Sequence, residues 1–192
     1  MRNFKENNKN FIGVREDLFR SFYAYEIDLI GIPIDNNFEK IKSIIDLCDG
    51  VILSGGDKFM KNDFLLVEYL YKINKPTLGI CLGMQGMARY FSKKEEINIL
   101  NHQKSDLDGH YINILKDSLL YKILGNSRIF VNSRHKSAIV DTNLIIGAKS
   151  DDLIIEEVED KSKKFFLGVQ WHPESIKDEY SKKLFDYFIK II

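Results

Sequence analysis

The sequence predicts an α/β fold in which a mainly parallel central sheet is flanked by helices. In the first half of the chain, short apolar segments alternate with segments whose apolar residues recur at helical spacing. In the second half, short apolar segments follow one another with polar turns between them, which predicts extra short strands. The 192 residues contain no linker or repeat. We therefore expect a single domain over residues 1–192, with the polar residues 1–10 frayed.

Each element of the first half is predicted from its apolar spacing. Continuous apolar runs predict strands, and apolar residues three and four positions apart predict helices. Asp35 or Asn36 is a candidate cap for the second helix, because either side chain can accept a backbone N–H. In order, the predicted elements are a short strand at 11–14, a helix at 16–26, a buried strand at 29–34, a helix ending at Leu47, a strand at 51–53, a helix at 64–73, a strand at 78–80 and a helix from 83 to about 91.

The elements of the second half are shorter, except for the last. A final helix is predicted from Ser175 or Lys177 to Ile191, because its apolar residues share one face and lysines fill the other. Polar turns are expected at 151–152 and 160–164. Short strands are predicted at 111–115, 129–131, 138–140, 144–146, 153–155 and 165–169.

Composition excludes several classes of function. Lys and Arg together number 28, as do Asp and Glu, so bulk charge does not favour binding to nucleic acid or to a membrane surface. No apolar run reaches membrane-spanning length, and the N-terminus lacks the apolar core of a signal peptide. Two cysteines do not make a disulfide framework. We therefore expect a cytoplasmic protein in a reducing compartment, with Cys48 as a packing residue.

Cys81 lies between two glycines, directly after an apolar strand, in the segment Gly79-Ile80-Cys81-Leu82-Gly83. Glycine suits the crowded backbone of a sharp strand-to-helix turn, and such a turn presents its central residue at the head of the helix. The dipole at a helix N-terminus is expected to lower the thiol pKa there. The sequence therefore predicts that Cys81 is a nucleophile.

A base for this nucleophile is predicted at His172, which follows an apolar strand in Trp171-His172-Pro173-Glu174. Pro173 biases His172 toward an extended backbone, so the side chains of His172 and Glu174 point to the same side. Glu174 can then hold one ring nitrogen while the other nitrogen faces a thiol. This is the arrangement of nucleophile, base and orienting carboxylate that a catalytic triad requires.

From about Asp28 to its C-terminus, the chain resembles a class I glutamine amidotransferase domain, which implies a flavodoxin-like α/β fold. The resemblance implies Cys81 as nucleophile, His172 as base and Glu174 as orienter. It also implies that the backbone amides of Gly56 and Leu82 form the oxyanion hole, with Gly55 beside them at the substrate. The motifs that carry it are Gly79 to Gln85, Gly168 to Glu174, and Asp49 to Asp57.

A further segment, Asn132-Ser133-Arg134-His135, is similar to one in γ-glutamyl hydrolases, the branch that includes γ-glutamyl-γ-aminobutyrate hydrolase. The resemblance implies that Ser133, Arg134 and His135 line a glutamyl pocket. Two of them have other interpretations, because Arg134 could be a solvated surface charge and His135 a packed loop histidine. Gln85 could contact the glutamyl group or lie on the helix surface. His102 and His110 are interpreted as ordinary satisfied or exposed histidines.

The favoured prediction is a stand-alone cysteine hydrolase that cleaves a small γ-glutamyl amide through a γ-glutamyl thioester. A narrower possibility is γ-glutamyl-CDP-amidate, an intermediate of capsule phosphoramidate synthesis. The alternative is a glutaminase subunit that delivers ammonia to a partner synthetase, which Leu82 favours because Cys-Leu-Gly is common there. No cofactor and no metal site are expected, since the histidines and cysteines are scattered along the chain. A homodimer or a synthetase partner is possible.

Overall fold

The computed structural model describes residues 1–6, 9–34, 37–92, 94, 96–100, 102–104 and 108–192. Its elements alternate between helix and strand in the first half and are mostly strands in the second. They are β1 (Arg2–Glu6), β2 (Lys9–Gly13), α1 (Glu16–Arg20), α2 (Phe38–Leu47), β3 (Val51–Leu53), α3 (Asp63–Lys72), β4 (Thr77–Ile80), α4 (Leu82–Tyr90), β5 (Ile97–Asn98), β6 (Gly109–Ile114), α5 (Leu119–Leu124), β7 (Arg128–Asn132), β8 (Ser137–Ala138), β9 (Ile145–Ser150), β10 (Ile155–Glu159), β11 (Phe166–Val169), a 3₁₀ turn (Pro173–Ser175) and α6 (Glu179–Ile191).

The main sheet has seven strands in the order β3-β4-β11-β10-β9-β6-β7. Strands β3, β4 and β11 are parallel to one another. The remaining neighbours, β11-β10, β10-β9, β9-β6 and β6-β7, pair in antiparallel fashion. The predicted α/β fold, with helices around a central sheet and extra short strands in the second half, is confirmed, but the sheet is mixed rather than mainly parallel, with two parallel and four antiparallel strand pairs among the described residues. The carboxyl ends of the three parallel strands lie side by side, so residues that follow these strands meet at one edge.

Apolar side chains cover both faces of this sheet, in agreement with the spacing in the sequence. On one face, Leu184, Phe185 and Phe188 of α6 pack with Leu120 of α5 against alternate residues of the sheet strands. On the other face, α2, α3 and α4 contribute a second buried cluster that includes Phe166. The helices thus fix the sheet from both sides. Among the described residues, no helix is both long and apolar enough to cross a membrane.

The N-terminal segment differs from the prediction of fraying. Strands β1 and β2 form an antiparallel hairpin, and the Arg2 guanidinium lies 2.5 Å from the Asp63 carboxylate in a buried ion pair. The Met1 amino group donates to the carbonyl of Ile32 at 2.7 Å. Asn7 and Asn8 lie outside the described residues. The prediction was wrong because a polar composition does not reveal a pairing with a distant carboxylate.

The strand predicted at 29–34 is also wrong, because this segment has no regular structure and Ile30 is 58% exposed. Its backbone hydrogen bonds are made with Met1 rather than with a strand of the main sheet: Ile34 N–H donates to Met1 O, and the Met1 amino group donates to Ile32 O. Pro33 has no N–H to donate. The helix predicted at 16–26 ends at Arg20 and continues only as turns. Of the two proposed caps of α2, neither is described, and the structure assigns the cap to Asn37, whose side chain accepts the N–H of Glu39.

Candidate active site

The predicted turn at Cys81 is present between β4 and α4. Cys81 has φ 51° and ψ −108°, a conformation that costs free energy for any residue except glycine. Its N–H donates to Val169 O at 2.8 Å, and its carbonyl accepts from Gln85 N at 2.9 Å. A Cβ atom placed on Gly83 would lie 2.0 Å from Leu53 O, so α4 starts in direct contact with the end of β3. These contacts hold the strained cysteine in place.

His172 and Glu174 follow β11 and form a close pair. His172 Nδ1 lies 2.6 Å from Glu174 Oε1, and both side chains are almost fully buried. Asn132, at the end of β7, binds the backbone of His172 twice: Oδ1 accepts the His172 N–H at 2.9 Å and Nδ2 donates to its carbonyl at 3.1 Å. The sequence marks Asn132 only as part of a motif, and its role as a clamp on His172 becomes visible only in the structure.

Gly55 brings the histidine and the cysteine together. A Cβ atom on Gly55 would lie 2.9 Å from His172 Cε1 and 3.5 Å from Cys81 Cβ, so both side chains lie next to the same glycine. A Cβ atom on the next residue, Gly56, would lie 3.2 Å from Leu82 Cδ2. The three segments that the sequence singled out therefore converge, and the two residues expected to form the oxyanion hole are neighbours.

The thiol of Cys81 is held in its neutral form. Burial raises the pKa of Cys81 to about 12, and the negative charge of Glu174 contributes to the rise. A hydrogen bond from the N–H of Leu82 acts in the opposite direction, as the helix N-terminus was expected to do, but it is the weaker effect. The predicted lowering of the thiol pKa is wrong for this structure, because desolvation of a buried thiolate outweighs the helix dipole.

Gln85 lies inside the protein rather than on the helix surface. Its Nε2 donates to the carbonyl of Ser137 at 2.8 Å and to Gln170 Oε1 at 3.0 Å, and the residue is 2% exposed. Ser133 is likewise buried, and its hydroxyl donates to the carbonyl of His102. Gln85 thus joins β8 to the segment after β11, and Ser133 joins the loop after β7 to the segment at His102. Cys48, expected in the core, caps the end of α2 and is only partly buried.

Arg134 is close to the predicted triad. Its Nη2 lies 3.5 Å from Glu174 Oε1, and its side chain is 16% exposed. The interpretation of Arg134 as a solvated surface charge is therefore wrong. The guanidinium offers a positive charge beside the carboxylate that pairs with His172.

Three of the four histidines form a cluster that the sequence did not predict. His102, His110 and His135 surround the carboxylate of Glu156, which is 0% exposed. Burial raises the pKa of Glu156, but the hydrogen bond from His110 and the nearby imidazole of His135 outweigh it and bring the pKa below its usual value. His135 is thus a packed loop histidine, as one interpretation held, and His102 and His110 are its partners rather than isolated residues. The four residues of this cluster are spread over 54 positions, from His102 to Glu156, so no short sequence motif identifies them.

Comparison with known proteins identifies relatives of similar length. The family model for glutamine amidotransferase class-I matches residues 9–191. One component of the glutamine-hydrolysing GMP synthase of Methanosarcina barkeri is 32% identical, over 91% of this chain and 88% of its own. The fold resembles the glutaminase domain of Trypanosoma brucei CTPS with bound acivicin, with TM-score 0.69, 20% identity, and 92% and 86% coverage. It also resembles a glutamine amidotransferase of Thermotoga maritima, with TM-score 0.61, 19% identity, and 91% and 75% coverage.

Proposed function

The chain belongs to the class-I glutamine amidotransferase family, and we propose that within it the protein is a stand-alone cysteine hydrolase of small γ-glutamyl amides. The observation that carries the proposal is the meeting of Cys81 and His172 at Gly55, with Glu174 2.6 Å from the far side of the imidazole. A thiol, a base on the same side of the site and a carboxylate that orients the base can form and then hydrolyse an acyl-enzyme. Amide hydrolysis is the general chemistry of the family, and the γ-glutamyl substrate is the specific proposal.

In the proposed reaction, Cys81 Sγ attacks the γ-carbonyl carbon while its proton passes to His172 Nε2. Glu174 accepts the Nδ1 hydrogen of His172 and stabilises the imidazolium that forms. His172 then gives the proton to the leaving amine, and the C–N bond breaks to leave a γ-glutamyl thioester. Water, deprotonated by His172, attacks the thioester carbonyl and releases glutamate and the free thiol.

The oxyanion is assigned to the backbone amides of Gly56 and Leu82. The Leu82 N–H that hydrogen-bonds the resting thiol is already directed toward the reacting atoms. Loss of one such donor costs about 3–4 kcal/mol of transition-state stabilisation in comparable sites. The neutral resting thiol fits this scheme, because proton transfer to His172 then occurs only when a substrate carbonyl is ready to accept the sulfur.

The γ-glutamyl substrate is inferred from the loop after β7. Asn132 clamps His172, and Arg134 beside Glu174 provides a cation for a carboxylate of the glutamyl group. A screen of purified protein against γ-glutamyl amines, a γ-glutamyl nucleotide amidate and glutamine tests the proposal, with Cys81→Ala as the control. We expect Cys81-dependent glutamate release from at least one γ-glutamyl amide at a higher kcat/KM than from glutamine. Release that persists in Cys81→Ala would contradict the mechanism.

A second candidate is a glutaminase subunit for a partner synthetase. It is favoured by one observation, the 32% identity to the GMP synthase component of Methanosarcina barkeri over 88% of that component's length. In this case the isolated chain would cleave glutamine poorly and would gain activity when its synthetase is added. The same screen separates the two, because glutaminase activity that requires a partner, together with no cleavage of γ-glutamyl amines, would exclude the stand-alone hydrolase.

A further inference from the structure

The histidine cluster beside the triad has an arrangement of acceptors that two neutral imidazoles cannot satisfy. His135 Nδ1 lies 3.0 Å from the carbonyl of Ser137, and His102 Nε2 lies 2.9 Å from Asp152 Oδ2. Both partners are oxygens that accept, so each of these nitrogens carries its ring hydrogen. The remaining nitrogens, His102 Nδ1 and His135 Nε2, face each other at 3.1 Å. With one hydrogen per ring, two lone pairs would meet there.

A positive charge between the two rings removes this conflict, and a carboxylate oxygen is placed to share it. Glu156 Oε1 lies 3.8 Å from His102 Nδ1 and 3.7 Å from His135 Nε2. The other oxygen, Oε2, is buried and has no hydrogen-bond partner among the described residues. Three lone-pair donors therefore lie within 3.8 Å of one another, and one of them belongs to a carboxylate whose other oxygen has no hydrogen-bond partner among the described residues.

We propose that His102 Nδ1, His135 Nε2 and Glu156 Oε1 bind a divalent transition-metal ion of the zinc type. Zinc bonds to imidazole nitrogen and carboxylate oxygen are about 2.0–2.2 Å long, which places neighbouring ligand atoms of a tetrahedral site about 3.3–3.6 Å apart. The three separations in this cluster are 3.1, 3.7 and 3.8 Å. The donor atoms thus need to move by only a few tenths of an ångström to coordinate the ion.

The outer contacts are those of metal-bound histidines. A histidine that binds a metal through one nitrogen usually donates its other N–H to a carboxylate or a backbone carbonyl. His102 has Asp152 in this position, and His135 has the carbonyl of Ser137. His110 Nε2 lies 3.0 Å from Glu156 Oε1, so it can hold the carboxylate or join the ligands, since His102, His110 and Glu156 offer donor atoms within 4.8 Å of one another. Asp152 itself is in contact with solvent, since 59% of its side chain is exposed.

The experiment measures zinc binding to the full chain with the catalytic pair removed. A chain with both Cys81→Ala and His172→Ala cannot bind zinc through its triad, but it retains the cluster. After chelation and dialysis against Zn²⁺, we expect one zinc per chain by elemental analysis. X-ray absorption should show a first shell of nitrogen and oxygen with imidazole scattering. Zinc on the unsubstituted chain with a sulfur neighbour at about 2.3 Å, and none on the double variant, would overturn the proposal.

Two exposed neighbouring aspartates provide a matched pair of variants that leave the buried cluster intact. Asp152→Asn removes the negative charge of the outer partner of His102 and should weaken zinc affinity about 10–100-fold. Asp151→Asn should leave the affinity unchanged, because Asp151 binds Arg128 and Asn113 instead. The absence of bound zinc in the folded double variant would show that an extra proton, not a metal, lies between the rings. Equal affinities for the two aspartate variants would likewise overturn the assignment.

Discussion

Replacement of glycine by alanine should have opposite effects on stability at two positions of helix α4, Gly83 and Gly86. In Gly83→Ala, the new Cβ would lie 2.0 Å from Leu53 O, about 1.4 Å closer than the 3.4 Å at which ordinary contact begins. The contacted atom belongs to the backbone of β3, whose register with β4 pairs Leu53 with Gly79, so it cannot simply rotate away. In Gly86→Ala, the nearest atom is Phe59 Cε1 at 3.5 Å, which is ordinary contact.

The magnitudes follow from these contacts. Replacing a helical glycine with alanine stabilises by about 0.5–1 kcal/mol when space is available, so Gly86→Ala should be slightly more stable than the unsubstituted chain. Forcing an atom into a packed backbone contact costs about 1–3 kcal/mol, and Gly83→Ala should lie at the upper end. The two variants should therefore differ by about 4 kcal/mol in free energy of unfolding, or by roughly 10 °C in Tm.

Urea unfolding followed through Trp171, the one tryptophan of the chain, measures this difference directly. Trp171 is buried next to His172, so its fluorescence also reports whether the site is intact. Gly83→Ala should lower kcat as well, because separation of α4 from β3 moves the turn that presents Cys81, whereas Gly86→Ala should retain activity. Equal stabilities for the two variants would refute the argument that close backbone approach requires glycine at position 83.

Three further predictions concern charge. Burial raises the pKa of Cys81 to about 12, so its alkylation by iodoacetamide at neutral pH should be about a thousandfold slower than that of a thiol with the ordinary pKa of 9.0. The alkylation rate should increase about tenfold per pH unit up to about pH 11. A rate, measured by mass spectrometry, that is already constant near pH 7 would contradict this. Glu174→Gln should lower kcat by up to about 10⁴-fold yet speed alkylation of Cys81, because a charge that raises the thiol pKa is removed. Asp63→Ala should cost about 3–5 kcal/mol in urea unfolding, because it leaves Arg2 buried without its partner, whereas Arg2→Met with Asp63→Leu should recover most of it.

Local sequence signals predicted the parts of the fold that depend on local chemistry. The apolar run before Cys81 ends at a turn with glycines on both sides, and His172 follows a buried strand, so both could be placed at strand ends without a structure. The order of elements from Phe38 to Tyr90 was also accessible, because each has a clear apolar period. Helix α5 was missed although Ser118 caps it and Gly125, with φ 71°, ends it; these two signals could have revealed it.

Features that depend on distant contacts could not be predicted in this way. Residues 29–34 have the composition of a buried strand, yet they pair with Met1, and nothing in their own sequence indicates that partner. The pKa of Cys81 depends on how completely the thiol is buried, which the helix-dipole argument ignores. Glu156 could not be distinguished from Glu157 and Glu159 on the same strand, because only the structure shows which carboxylate meets the histidines.

The two hydrogen bonds of Asn132 to the backbone of His172 join parts of the sheet that are otherwise separate. Asn132 ends β7, at the far antiparallel edge, whereas His172 follows β11 in the parallel part. Any ligand that displaces the loop beginning at Asn132 should therefore also displace His172, the proposed general base. By thermodynamic reciprocity, a substrate that fixes His172 in its reactive position must also stabilise that loop by the same coupling free energy.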